Sequence, residues 1–272
     1  MLRVAGVGAA ALLGLGPLLP APGAGSPRFG AVGLLAWGWS CAQLWRLRAL
    51  NVASGGEDAD ASPPGPPRPQ LGAATGVTLL RSWLIALVAG HLLLPPVTGD
   101  GSLNVGLLYS LAALLDGVDG RVARRSGIVT RLGARLDVLT DATGLLVVPL
   151  VAVHAGRLPI WYLLLSFAYP LFRAALALQR WRGRPLYVER LRRDPRARFF
   201  AGVQMGVVAA SFYPVLPVPL VWVAASCAMV PTLLLFAREW AVVNGWWSPE
   251  PEPSAARGAP APDRPAANTP TA

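Results

Sequence analysis

Eight apolar runs, separated by short polar or arginine-rich stretches, restrict what this chain can fold into more than any other feature. They cover residues 4–19, 29–50, 71–94, 103–124, 133–155, 159–180, 199–213 and 218–240. In hydrocarbon every backbone N–H and C=O must find a partner inside the protein, which an α-helix supplies within its own segment. With 54% hydrophobic residues, 14% charged residues and a mean hydropathy of +0.47, the chain reads as an all-α polytopic membrane bundle.

The net charge of +10 raises the question of nucleic acid. All 24 basic residues are arginine, and they collect between apolar runs rather than along one helix face. That distribution follows the positive-inside rule and predicts no nucleic-acid partner. The stretches 121–135 and 180–198 are intensely basic, whereas the loops near 95–102, 156–157 and 214–217 carry almost no positive charge. The alternation places both termini and the segment around residue 120 on the cytoplasmic side of a membrane, expected to be a bacterial plasma membrane. The 180–198 arginines serve topology and attraction to anionic lipid. Arg173, inside an apolar run, is a candidate for lining an internal cavity.

Residues 1–50 are expected to form two membrane helices. The first resembles a signal-peptide core in length but is expected to be retained. Residues 51–70, rich in Gly, Pro and acidic side chains, read as a flexible linker. Residues 71–245 form the main unit of six helices, and 246–272 is a Pro/Ala-rich tail expected to be disordered. Cys41 and Cys227 lie in apolar runs with no disulfide or metal-ligand spacing, and His91 and His154 stand alone near helix ends.

Against this background the segment 116–141, DGVDGRVARRSGIVTRLGARLDVLTD, stands out. Carboxylates in or beside membrane helices are costly and mark function. At about 100° per residue, Asp116, Asp119, Gly120, Ala123 and Arg124 fall within an arc of roughly 140°. Gly133, Asp137 and Asp141 recur every fourth residue and form one stripe on the next helix. A tight turn between the two brings four carboxylates together. Structural ion pairing with nearby arginines explains neither the glycines nor the spacing. Divalent cations relieve the repulsion, and all-oxygen ligation favours Mg²⁺ or Mn²⁺ over zinc. Two such metals stabilise the attacking and leaving oxygens in phosphoryl transfer, and the membrane setting suggests a lipid-linked diphosphate as substrate.

The spacing D-x2-D-G-x2-A-R-x8-G-x3-D-x3-D resembles the signature of the CDP-alcohol phosphotransferases at all eight fixed positions, and the resemblance covers about residues 71–240. It implies a six-helix core, preceded here by two extra helices. It also implies transfer of a phosphatidyl or related phospho group from a CDP-linked lipid to an alcohol, with release of CMP, in phospholipid biosynthesis. Asp116 and Asp137 would bridge two divalent cations, Asp119 and Asp141 completing one site each, and Asp141 would also be the general base. Gly120, Arg124 and Thr130 would hold the CDP portion; Thr78 and Arg81 are similar to a further substrate-binding element on the first core helix. The partners implied are the CDP-linked lipid, a small alcohol, membrane lipids and a second copy of the chain in a homodimer. Phosphate-bearing acceptors in the family often go with Lys or Arg after the last Asp, where this chain has Ala142, and DATGLLVVP with Pro149 resembles the serine-using branch. Two other classes are consistent with an acidic membrane site: an intramembrane prenyltransferase using Asp-bound Mg²⁺, and a non-enzymatic cation-binding protein. A requirement for a CDP-linked donor separates the first from a prenyltransferase, and CMP release separates it from a transporter.

Overall fold

The computed structural model describes residues 2–19, 23–52, 71–126, 130–183 and 195–247, with side chains omitted at 119–126 and 195. The expected linker from residue 53 onward, and the tail from residue 248, lie outside the described residues. The described residues form an all-α bundle of α1 (Leu2–Leu15), α2 (Pro27–Arg46), α3 (Ala73–Ala89), α4 (Gly99–Ser126), α5 (Arg131–His154), α6 (Leu163–Trp181), α7 (Pro195–Ser211) and α8 (Val218–Val243).

Local chemistry sets the helix starts. Ser26 caps α2, accepting a hydrogen bond from Phe29 N, with Pro27 in the first turn where its missing N–H costs nothing. Thr130 caps α5 in the same way through Gly133 N, and α8 begins after Pro217. Gly156, at φ +68°, lets the chain reverse just after α5, a conformation that residues with a Cβ rarely adopt. In that turn Arg157 donates to the carbonyls of Ser211, Tyr213 and Leu216, closing the end of α7.

Among the described residues, five helical stretches are long and apolar enough to cross a membrane: Ala73–Leu93, Gly99–Val118, Arg131–His154, Ile160–Trp181 and Val218–Val243. Eight spans were expected from the apolar runs. The difference lies in α1, whose apolar stretch is short, in α7, which has 17 residues, and in α2, which carries Arg28, Ser40 and Gln43.

α3 is the hub. Of its most apolar window 67% is buried, against 17% for α8. It packs against α2, α4 and α5, whereas α6 and α8 turn Leu171, Leu178, Leu220 and Leu234 outward, as lipid-facing helices do. One buried cluster joins α3, α4, α5, α7 and α8 around Val88, Val105, Val148, Val208, Phe212 and Ala225. A second joins α1 and α2 to α3 and α5 through Leu12, Phe29, Trp37, Leu87, Leu132 and Leu136. Two indoles fasten α1 to its neighbours: Trp37 Nε1 donates to Ala5 O at 3.0 Å and Trp83 Nε1 to Gly8 O at 2.9 Å. Gly8 is required there, since a Cβ would sit 2.4 Å from the Trp37 ring.

The isolated histidines have local structural partners. His91 lies edge-on to Phe29, its Nδ1 near the carbonyls of Leu87 and Val88. His154 Nε2 lies 2.8 Å from Leu94 O.

Candidate active site

The site forms where α3, α4 and α5 meet. Asp116 reaches it from α4, and Asp137 and Asp141 from successive turns of one face of α5. One ligand oxygen from each of these three carboxylates lies within 4.8 Å of the others. Their side chains are 36%, 37% and 32% exposed, so the cluster is open on one side. The side chains of Asp119, Gly120, Ala123 and Arg124 lie outside the described residues; their backbone occupies the end of α4.

Arg81 of α3 stands behind the cluster. Its side chain is 2% exposed; Nη2 lies 2.8 Å from Asp116 Oδ1 and 2.5 Å from Asp141 Oδ1, Nη1 lies 2.7 Å from Asp137 Oδ1, and Nε donates to Ala112 O. A residue expected on the substrate side is thus engaged with three carboxylates at once. Three carboxylates share this one guanidinium, and their all-oxygen donor set suits a divalent cation. The chemistry of these side chains therefore fits the metal expected from the motif.

Next to Arg81, Ser82 Oγ lies 2.8 Å from Thr140 Oγ1, tying α3 to α5 one residue from Asp141. Thr78 Oγ1 donates to Ala74 O within α3. Thr130 is buried at the start of α5, its hydroxyl engaged as helix cap. A Cβ on Gly133 would lie 3.2 Å from both Thr130 Oγ1 and Thr75 Oγ1, so this motif glycine lets α5 begin tightly against α3. Tyr109 was not singled out in the sequence. Its buried hydroxyl has no hydrogen-bond partner among the described residues, and the residue lines a pocket of about 10 Å³ shared with Arg81, Thr140 and Asp141.

On the other side of Asp141 a cavity of about 230 Å³ opens between α5, α6, α7 and α8. Arg173 does not line it; that side chain is exposed on α6.

The sequence profile of the CDP-alcohol phosphatidyltransferases matches residues 71–247, which hold α3 to α8 and the whole carboxylate site. The chain belongs to the CDP-alcohol phosphatidyltransferase family. With the five long apolar helices, membership makes it an integral membrane protein. Among curated proteins it is similar to the CDP-diacylglycerol–serine O-phosphatidyltransferase of Mycobacterium leprae, 47% identical over 51 residues, covering 19% of this chain and 17% of that one. It is also similar to the proteins of that name from Mycobacterium bovis and Mycobacterium tuberculosis, each 43% identical over 54 residues, 20% of this chain and 19% of the relative. These similarities span less than a fifth of the relatives' length. No solved structure matches the chain.

Proposed function

We propose that this protein transfers a phosphatidyl or related phospho group from a CDP-linked lipid, such as CDP-diacylglycerol, to a small alcohol, releasing CMP. The observation that carries this reading is the convergence of Asp116, Asp137 and Asp141 on one point, from a motif shared with the family.

When bound, Mg²⁺ or Mn²⁺ would neutralise charge on the transferred phosphate and on the departing CMP. Asp116, Asp137 and Asp141 would hold it, with Asp119 joining from α4. Asp141 is the residue placed to act on the acceptor, since it belongs both to the carboxylate cluster and to the wall of the adjoining cavity. Its carboxylate accepts the acceptor's hydroxyl proton as the alcohol oxygen bonds to the lipid-side phosphorus. The P–O bond to the cytidylate breaks, and CMP leaves with the electron pair. Arg81, bonded to Asp137 and Asp141 from behind, holds both carboxylates in register for this step. Gly120, Arg124 and Thr130 are assigned to the CDP portion, and the basic 121–135 segment supports a cytoplasmic orientation. Residues 71–245 are read as the catalytic unit, and a homodimer is the proposed assembly.

The test is CMP release by the purified protein in lipid nanodiscs, with CDP-diacylglycerol, Mg²⁺ or Mn²⁺, and a panel of alcohols. CMP release dependent on donor, metal and alcohol is expected, with Asp141→Asn reducing it at least about 100-fold. No CMP from any CDP-linked donor and alcohol would refute the reading; wild-type turnover in Asp141→Asn would refute the role of that residue.

A further inference from the structure

The two residues that flank the Arg81–Asp141 ion pair in sequence also touch each other. Ser82 follows Arg81, Thr140 precedes Asp141, and Ser82 Oγ lies 2.8 Å from Thr140 Oγ1. Both residues are 6% exposed, whereas the carboxylates beside them are open on one side. Ser82 donates its only hydroxyl proton to Thr78 O, one turn back in α3. Thr140 must therefore be the donor in the contact between the two helices. Nearby threonines behave differently: Thr78 Oγ1 donates to Ala74 O and Thr143 Oγ1 to Leu139 O, each within its own helix, as buried hydroxyls in helices commonly do. Thr140, next to Asp141, turns its proton across to α3.

This bond sits inside a register. A Cβ on Gly133 would lie 3.2 Å from Thr75 Oγ1, and seven residues further along both helices Ser82 meets Thr140. Beyond that, a Cβ on Gly144 would lie 3.1 Å from Ile85 Cδ1. Small residues let membrane helices approach closely, but such contacts have little directionality. The hydroxyl bond between them does have direction. Successive residues stand about 100° apart around a helix, so the hydroxyl pair and the ion pair grip α3 and α5 from different sides. The ion pair alone fixes the rotation of α5 poorly, because a guanidinium has five N–H donors through which to meet a carboxylate. A second, buried grip removes that freedom.

We propose that Ser82 and Thr140 are positioning residues for phosphatidyl transfer. Their hydrogen bond fixes the rotation of α5 against α3 and, through it, the aim of Asp137 and Asp141 at the reacting centre. Both act through the carboxylates rather than on the substrate. The proposal rests on the phosphatidyl-transfer reading for its reaction, while the carboxylate geometry it claims is measurable without turnover.

The experiment uses the full chain in nanodiscs. Thr140→Val keeps the side chain's shape and loses the hydroxyl, Thr140→Ser keeps the hydroxyl, and Thr143→Val removes a hydroxyl that bonds its own helix. CMP release is measured with CDP-diacylglycerol, saturating Mn²⁺ and the panel of alcohols. Mn²⁺ affinity is measured without nucleotide, from the electron paramagnetic resonance signal of the free ion. Thr140→Val is expected to lower kcat about tenfold or more, with donor and acceptor KM within about threefold. It is also expected to weaken Mn²⁺ binding about tenfold, as the loss of a support behind metal ligands does. Thr140→Ser and Thr143→Val should stay within about twofold of wild type in kcat and Mn²⁺ affinity. Ser82→Ala should reproduce Thr140→Val, and the double variant should lose little more than either, because both remove one bond.

An unchanged kcat or an unchanged Mn²⁺ affinity in Thr140→Val overturns the proposal, even with a lower melting temperature, since packing alone then accounts for the pair. Losses as large in Thr140→Ser or Thr143→Val also overturn it, as does full additivity in the double variant. If Thr140→Val does not fold, Ser82→Ala and Thr140→Ser decide by the same criteria. A wild type that releases no CMP from any CDP-linked donor removes the transfer reading instead. The Mn²⁺ affinities then decide the geometric claim: weaker binding in Thr140→Val upholds it, and equal binding overturns it.

Discussion

Arg81 Nη1 lies 2.7 Å from Asp137 Oδ1, joining two residues 56 positions apart in sequence. The same guanidinium reaches Asp116 and Asp141, so a single buried cation fixes carboxylates from two helices. Removing it leaves three converging anions. Taking one partner from a buried ion pair costs about 3–5 kcal/mol, and the partial exposure of these carboxylates reduces that to about 2 kcal/mol. Arg81→Met should therefore melt several degrees below wild type. Mn²⁺ should raise its melting temperature more than it raises that of the wild type, because the metal then supplies the missing positive charge. Equal shifts in the two proteins would show that Arg81 and the metal do not answer the same charge.

The three described carboxylates should be individually indispensable. Asp116→Asn and Asp137→Asn each keep the side chain's size and lose its charge. Both are expected to lower CMP release at least about 100-fold, equivalent to about 2.7 kcal/mol of barrier. Chelation should abolish release in the wild type, and added Mg²⁺ or Mn²⁺ should restore it. Activity that survives exhaustive chelation would contradict the metal assignment.

Thr130 is assigned to the CDP portion, yet its hydroxyl also caps α5 through Gly133 N at 3.1 Å. The two roles separate by substitution. Thr130→Asn, which still caps, should keep most of the stability, whereas Thr130→Ala should lose about 1 kcal/mol. If Thr130 also contacts the donor, both variants raise the donor KM; if it only caps, Thr130→Asn leaves the donor KM unchanged. Gly133→Ala should destabilise as well, because its Cβ meets the Thr75 and Thr130 hydroxyls at 3.2 Å.

Leu12 is fully buried in α1, and two indoles bond that helix's backbone. A helix so engaged should remain in the mature protein, and the intact mass of the purified chain should include it. Gly8→Leu pushes against the Trp37 ring, so it should lower the melting temperature while CMP release at 25 °C stays within about twofold. A mature protein beginning after residue 19 would contradict the expectation.

The carboxylate pairing was legible because helical spacing carries it: Asp137 and Asp141 are one turn apart, and a short connection returns the chain from Asp116. The apolar runs marked the positions of the helices for the same reason, since hydrophobic length is a local property. Arg81 was visible only as part of a weak resemblance. Its engagement with three carboxylates depends on how α3 packs between α4 and α5, which no local pattern encodes. The cavity was less legible still. Ser166, Gln204 and Glu239 are single polar residues on three different helices, and only the arrangement of α6, α7 and α8 brings them to one space. Arg173 looked like the better cavity residue because it is charged, but helix rotation turns it outward.

The family match begins at residue 71, yet the buried cluster around Leu79, Leu87, Leu132 and Leu136 also contains Leu12, Phe29, Trp37 and Leu44. A polar seam crosses the same boundary, with Gln43 of α2 sharing a small pocket with Thr78, Ser82 and Thr140. The leading helices are therefore not a detachable module. Excising them would strip one side of α3 and bare hydroxyls that belong against protein to lipid tails, one helical turn from Arg81.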